Sequence, residues 1–569
     1  MGDVTSFIID GTSGLAPGGV EGRCLVAGVS SRGQVGKGYL LGKRSDLRGI
    51  LGVGPLVDSL RDVFAAGGQE PYVVAVRVEG APGGYITAVR HQGHGAKAAV
   101  VGVATTAADV RVRVVSGGPN GAAAIQYSLD GGKSWPAGNA IQVPDDGSVV
   151  LPGTGARIIF SATPEKPLIA EEEYRFQVVT PLSQHKQHGD GPKVEATGEP
   201  TAGGHLKLLI NRTGGLNQAQ YQLSLDGGDN YGPRRTLPFD GQINVPEMGL
   251  ILKLATGEYQ PGTIYEWEVL APVPTTAAVM EALTKPLESQ DVEFVYVVGP
   301  SDSVDWAAAA ALGAEQWNRH RPTYFKFESR LPRAGEDLSD WATALVNERS
   351  DFASYYVQVV AAFGETSDST GLSHVRNWAG LNAGKTVANP VQRAAGNVSD
   401  GPISQARQFP EGWNETIQTF LENSGFLTAK RYAGLYGVYW GDSKTMAEIT
   451  SDYQYEEVLR VTFKALRKCR IAALKSLYDE AGDVLLPEAA PGLKFLEANL
   501  EAALDTMTKA VPQEMAAHVV NIPPGQDIVN NGLAVELTFI GIPIIRSIKL
   551  FGKYVYAGGK FDPRLVDAA

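Results

Sequence analysis

The stretch LRDVFAAGGQEPYVVAVRV, residues 60–78, sets the fold class. Leu56, Leu60, Val63 and Phe64 fall on one helix face at i, i+4, i+7 and i+8. Pro55 suits the first turn of that helix and Gly67–Gly68 suits its end. YVVAVRV (72–78) is apolar almost without interruption, which marks a largely buried strand. Helix, glycine stop and buried strand predict one unit of a layered α/β sheet. The unit carries no obvious catalytic group.

Composition bounds what surrounds it. The 569 residues predict several domains, and 43% apolar with 20% charged residues is ordinary for globular protein. A net charge of −12 argues against general nucleic-acid binding, which needs clustered Lys and Arg. The two cysteines, Cys24 and Cys469, are far apart and form no CxxC, so neither a zinc knuckle nor a redox motif is expected. A reduced compartment is the simpler reading, with a disulfide left open. MGDVTSFIIDGTSG at the start lacks a basic region followed by an apolar run, and no run of 18 apolar residues occurs. Neither a signal peptide nor a membrane span is expected.

Outward from 60–78, residues 4–20 read as an extended arm with Phe7, Ile8 and Ile9, and RCLVAGVSSRG reads as a strand with a glycine loop. After Gly83 the texture turns to β, and it repeats. VRVRVVSGG (110–118) recurs as LKLLINRTGG (206–215), QYSLDGGKSW (126–135) as QLSLDGGDNY (222–231), and EYRFQVVTP (173–181) as IYEWEVLAP (264–272). Two tandem β-sandwich-like modules follow, 91–182 and 183–273. From 277 strands return at 294–299, 324–329 and 355–364, with helices at 305–317 and 338–348 between them, which predicts a parallel sheet. A long helix is expected over 452–480 with Ser451 and Gln454 as its capping box, and a second over 493–508. Two or three strands and a loose tail close the chain.

Several motifs carry a chemical reading beside a structural one. AGLNAGKT (379–386) fits a loose phosphate loop, with Lys385 for phosphates and Thr386 for magnesium. No buried strand precedes it and Pro390 interrupts the required helix, so a surface loop is expected. SLDGGKSW (128–135) fits an Asp-box hairpin braced by its Asp and Ser, with Trp135 as an aromatic plug or a sugar platform. His91/His94 and His185/His188 form two H-x-x-H pairs, read as repeated linkers rather than metal sites. VVGPSDS (297–303) could place a phosphate at a helix start, but reads first as an ordinary strand-to-helix turn with an Asp or Ser cap. On the long helix, Arg460, Lys464, Arg467 and Lys468 share one face. A solvated face and a surface for an acidic partner are both open there.

LVAGVSSRGQVGKGYLLGKRSDLRGILGVGPLVDSLRDVFAAGGQEPYVVAVRV (25–78) resembles the N-terminal region of contractile phage tail sheath proteins. GVYWGDSKTMAEITSDYQYEEVLRVTFKALRKCRIAAL (437–474) is similar to the passage into the long C-terminal helix of that family, and VRNWAGLNAGKTVANPVQRAAGN (375–397) to its middle Gly/Ala-rich loop. The β-modules lie outside the resemblance, as inserted variable domains do in sheaths.

The resemblance implies an α/β (α+β) multidomain chain: a layered α/β sheath core with two tandem inserted modules. Its expected divisions are an N-terminal linking arm (1–20), core segments 21–90 and 274–440, modules 91–182 and 183–273, a C-terminal domain 441–547, and a terminal arm 548–569. The implied function is structural, not enzymatic, with no cofactor, no metal and no catalytic residue. Subunits would stack as six-fold rings around an inner tube and contract to drive it through a bacterial envelope. Partners would be further copies of the chain, the tail tube, baseplate and tail terminator proteins, without direct nucleic-acid contact or membrane insertion. The protein would be assembled in the host cytoplasm and reside in the virion tail. Phe7, Ile8, Ile9, Tyr554, Val555 and Tyr556 would belong to strands donated between subunits, and Arg460, Lys464, Arg467 and Lys468 would face the tube. Alternatives are the sheath of a bacteriocin or secretion device, a nucleotide-binding α/β enzyme, and a carbohydrate-binding surface protein.

Overall fold

The computed structural model describes residues 20–69, 71–136, 140–183, 185–367, 373–482, 490–558, 561, 562 and 564. The arm residues Phe7, Ile8 and Ile9 lie outside these. Contacts divide the chain into two compact units, meeting between Lys475 and Ser476.

The first unit is organised by a six-stranded sheet. Its strands are β1 (Arg23–Val29), β2 (Gly38–Leu41), β3 (Tyr72–Val78), β4 (Phe294–Ser301), β5 (Tyr324–Ser329) and β6 (Val357–Val360), in the order β2-β3-β1-β4-β5-β6. All neighbours are parallel except β2, which runs antiparallel to β3. Alternate residues serve opposite cores: Cys24 and Val26 point into one, Leu25 and Ala27 into the other. Burial on both faces explains the unbroken apolar runs in β1, β3 and β4.

Helices cover both faces. One layer holds α1 (Pro55–Ala66), α5 (Ala379–Ala388) and α7 (Glu456–Ala473); the other holds α2 (Thr276–Ser289), α3 (Ser303–Asn318), α4 (Leu338–Arg349) and α6 (Glu415–Asn423). α1 and β3 have the bounds that 60–78 predicts. Its glycine stop uses Gly67 as cap and Gly68 for the left-handed step (φ 74°). At α3 the Asp302 carboxylate accepts from the backbone N–H groups of Val304 and Asp305 in a full capping box, so the turn at 297–303 carries its own anion.

Three expectations change. Residues 355–364 do not form one strand: β6 ends at Val360, and Phe363–Ser367 joins a separate three-stranded sheet. The long helix begins at Glu456, and its N-cap Tyr455 provides no side-chain bond. Ser451 instead accepts from Tyr453 N, and Gln454 O accepts from Thr445 N. The largest change is AGLNAGKT, which is neither a phosphate loop nor a surface loop but the buried helix α5. Its Gly380 and Gly384 face α1. A Cβ at Gly384 would stand 2.5 Å from the Val63 carbonyl oxygen and 2.8 Å from Ala66 Cβ. The glycine pair is a contact surface that lets two helix backbones approach.

Two β-sandwiches are inserted between β3 and α2. They leave and rejoin the core through one short antiparallel stem, Gly80–Ala81 against Val273–Pro274. Each pairs a five-stranded path with a three-stranded sheet. Module 1 is cored by Val110, Val112, Ile158, Phe160, Tyr174 and Phe176; module 2 by Leu206, Leu208, Leu250, Leu252, Tyr265 and Trp267. Strand Tyr85–Ile86 already pairs with module 1, ahead of the expected boundary at 91. The repeat is kept in detail. Tyr174 OH donates to Ala96 O at 2.6 Å, and Tyr265 OH to Pro192 O at 2.7 Å. In the Asp-boxes, Ser134 N donates to Asp130 Oδ1 at 2.8 Å and Asn230 N to Asp226 Oδ1 at 3.0 Å.

The second unit contains α8 (Pro491–Thr508), which buries Leu496, Leu500, Leu504 and Met507, and a hairpin of β7 (Ala517–Asn521) and β8 (Glu536–Ile540). The contact boundary thus leaves α7 with the first unit, whereas the sequence places a division near 441.

The glycine contact gives a stability prediction. Gly→Ala inside a helix ordinarily gains about 1 kcal/mol. Gly384→Ala should instead lose about 1–3 kcal/mol, because the added carbon has no room. Urea denaturation measures it, and a more stable variant would refute the close-packing account.

Candidate assembly surface

The basic stripe of α7 is where the expected tube face can be examined residue by residue. Arg460 and Arg467 do not face solvent: they are 3% and 9% exposed. Arg460 forks onto Glu293, Nε to Oε1 at 2.6 Å and Nη2 to Oε2 at 3.2 Å, and also donates to the carbonyls of Asn389 and Pro390. Arg467 donates to the carbonyls of Val292 and Pro322 and lies 3.6 Å from Asp291. Both arginines anchor α7 onto the segments that lead into β4 and β5, two interior strands of the sheet, which corrects their assignment to a tube face. Lys464 and Lys468 keep partial exposure.

A second buried pair sits one turn earlier. Lys326, fully buried on β5, places Nζ 2.7 Å from Glu456 Oε1 and donates to Asn382 Oδ1 at 2.6 Å and Thr386 Oγ1 at 2.7 Å. Tyr324 OH and Thr386 Oγ1 also donate to Glu456, at 2.7 and 3.0 Å. Burial alone would raise the Glu456 carboxyl, but Lys326 and Arg460 outweigh it and hold it at about 2. Burial pushes the Lys326 ammonium down, against the pull of Glu456. The remaining residues of the phosphate-loop reading are thereby accounted for. Thr386 belongs to this network, and Lys385 Nζ pairs with Asp400 at 2.6 Å.

Beside this network, Tyr296 OH donates to the Glu328 carboxylate, with the Asp62–Arg376 pair nearby. Burial pushes the Glu328 carboxyl up to about 7.

The histidine pairs gain a structural role. His91 Nε2 lies 2.8 Å from Glu172, which also accepts the backbone N–H groups of His94 and Gly95, and the His91 ring stacks on Tyr174 at 4.2 Å. His188 lies 3.7 Å from Glu266. The sequence reading missed Glu172 because 81 residues separate it from His91. Among the described residues no group of three or more His, Cys, Asp or Glu could hold a metal ion. No described helix is long and apolar enough to cross a membrane. Cys24 and Cys469 are both free and buried.

Of the expected C-terminal arm, 548–569, residues 548–558, 561, 562 and 564 are described. β7 and β8 pair only with each other among the described residues, so each strand has an edge without a neighbour. From Gly541 to Ala557 the chain forms no helix or strand, and it displays large apolar side chains. Leu550, Phe551, Tyr554 and Tyr556 are 90%, 86%, 83% and 75% exposed, with Val555 at 40%. An open-edged hairpin and an unpaired apolar segment therefore occur on the same unit. Backbone groups at such edges pair readily with another strand.

Removing one member of a buried pair leaves the other charge uncompensated. Arg460→Ala should cost about 3–5 kcal/mol of first-unit stability by stranding Glu293; denaturation indistinguishable from wild type would remove the anchor role. Glu328 predicts a pH slope. Its folded value of about 7 lies above the ordinary 4.5, so its contribution is full below pH 4.5 and is lost as pH rises through 7. Over that window the loss should approach about 3 kcal/mol, and Glu328→Gln should flatten it. Stability curves from pH 4.5 to 8 that run parallel for both proteins would contradict this.

The DUF2586 N-terminal domain profile matches residues 1–444 and the DUF2586 C-terminal domain profile matches 452–559. No curated protein matches the chain. Among solved structures, the sheath tail protein DSY3957 of Desulfitobacterium hafniense is similar at 10% identity, covering 95% of this chain and 100% of its own, with a TM-score of 0.40. The sheath tail protein Lin1278 of Listeria innocua is similar at 9% identity, over 92% and 96%, with a TM-score of 0.41. A chain of the anti-feeding prophage baseplate is similar at 16% identity, over 50% and 76%, with a TM-score of 0.36.

Proposed function

We propose that this chain, which belongs to the DUF2586 family, is the structural subunit of a contractile tail sheath. Subunits stack as six-fold rings around an inner tube, and the assembled sheath contracts to drive the tube through a bacterial envelope. The observation that carries this reading is the second unit, where an open-edged hairpin accompanies an exposed apolar segment. A segment such as 541–556 added to the hairpin of a neighbouring copy covers its apolar side chains and satisfies both backbones. Some six ladder bonds at about 0.5–1.5 kcal/mol each give several kcal/mol per arm. That is enough to keep subunits linked, and the linkage leaves the rigid first units free to rotate.

The reading needs no catalytic group, cofactor or metal. The nucleotide alternative loses its site, since Thr386 is bonded inside the fold and Lys385 is paired with Asp400. Of the basic stripe, Lys464 and Lys468 are retained as the tube contact. Exposed pairs of this kind are worth about 0–1 kcal/mol each, which suits a surface that must release on contraction. The baseplate, tail tube and terminator complete the proposed set of partners, and the virion tail is the proposed location. A bacteriocin or secretion sheath would use the same parts.

Negative-stain electron microscopy of the purified chain tests this. Full-length protein should form tubes or stacked rings, and deletion of 548–569 should leave soluble single subunits. Lys464→Glu with Lys468→Glu should spare folding and self-assembly but impair assembly on tubes. Normal sheath formation by the truncated chain would sink the arm exchange, and unchanged assembly on tubes by the double variant would sink the tube contact.

A further inference from the structure

The two inserted modules are copies of one fold, so their outward faces can be compared strand by strand. On the larger sheet of module 1, Val110, Val112 and Val114 of 108–116 and Tyr174, Phe176 and Val178 of 173–179 point inward. Arg111, Arg113, Glu173 and Arg175 therefore point out. The register sets Arg90 opposite Arg175, and Arg175 opposite Arg111. Three like charges lie side by side across three strands, an arrangement that destabilises a sheet. In module 2 the matching row is Lys186, Glu266 and Lys207, whose signs alternate, with Lys207 Nζ 3.2 Å from Glu266. With the flanking outward positions included, module 1 sets four arginines against Glu173 and Asp109, a surplus of two positive charges. Module 2 sets Lys186 and Lys207 against Glu266 and Glu268, a balance of zero.

The arginines are only partly neutralised locally. Glu173 is shared between Arg113 at 3.2 Å and Arg175 at 2.7 Å, and those two side chains remain 41% and 42% exposed. Arg90 donates to the Gly335 carbonyl. Arg111 makes no ion pair among the described residues. At the edge of the face, Trp135 lies beneath the Arg113 guanidinium, 4.8 Å from its ring centroid.

We propose that this face of module 1 binds an acidic polysaccharide. Its carboxylate or phosphate groups bridge the guanidinium groups of Arg111, Arg175 and Arg90, and a sugar ring lies at the exposed edge of Trp135. Arginine's planar fork matches both anions. A single-stranded nucleic acid would call for aromatics beneath successive bases. Here the exposed row holds arginines and ends where the buried Ser128 begins the Asp-box. The module's chemistry stands whether or not the chain polymerises.

Interferometry on the full-length chain tests this with polygalacturonate, a phosphomannan, neutral dextran and oligo(dT) as probes. At least one of the first two should bind, more weakly as salt rises, and dextran should not; the better binder identifies the anion. Arg111→Gln should weaken binding about tenfold, the loss of one charge-assisted contact, without lowering the melting temperature, since it relieves a like-charge row. Arg111→Lys, which keeps the charge but not the fork, should fall between. Lys207→Gln, at the matching place in module 2, should change nothing. Failure of both acidic polymers to bind, equal binding by Arg111→Gln, or tighter binding of oligo(dT) would overturn the proposal.

Discussion

The first unit depends on two ion pairs that water does not reach, Lys326–Glu456 and Arg460–Glu293. Both acidic–basic partnerships involve α7, and both reach into the sheet or a segment that leads into it. Apolar packing tolerates small slides of a helix along a sheet, whereas a buried charge displaced by one turn loses its counter-charge at a cost of several kcal/mol. Glu456 and Arg460, four residues apart, therefore fix α7 in both position and rotation. The same network enlists Asn382 and Thr386 of α5, and α5 in turn lies against α1 through its glycines. One layer of three helices is thus set by a few polar contacts, with the apolar residues filling the space between.

What was legible in the sequence follows from the range of the signal. α1 and β3 announce themselves because their periodicity, proline and glycines are local. The modules were readable as a repeat, since duplication compares the chain with itself. The stripe on α7 was misread because its counter-charges are remote: Glu293 lies 167 residues from Arg460. A helical wheel shows four bases on one side and cannot show which of them meets a carboxylate. AGLNAGKT was misread for a related reason. Small residues at i and i+4 look like a flexible loop until a partner helix is known, and here that partner is α1, more than three hundred residues earlier. Of the arms, Tyr554, Val555 and Tyr556 are visible as exposed apolar residues, while Phe7, Ile8 and Ile9 lie outside the described residues.

The duplicated modules show how one scaffold separates folding from surface chemistry. Both keep the inward aliphatic ladder, the Asp-box brace and the buried tyrosine that donates to a carbonyl of the incoming segment. Their outward residues have diverged, to arginines in one and to alternating charges in the other. The inward set specifies the sandwich, so the outward set is free to change.

The stem at Gly80–Ala81 and Val273–Pro274 has a consequence for how such a chain can vary over time. Residues 82–272 enter and leave the core through this one pair of strands, with Tyr85, Ile86 and Arg90 also bonded to residues 333–335. The two ends are already side by side, and the entropy of closing a longer loop grows only with the logarithm of its length. Cargo of very different size can therefore be exchanged at this point by recombination while the α/β body keeps its register. The junction works as a socket that admits inserts of different length without altering the sheet beneath it.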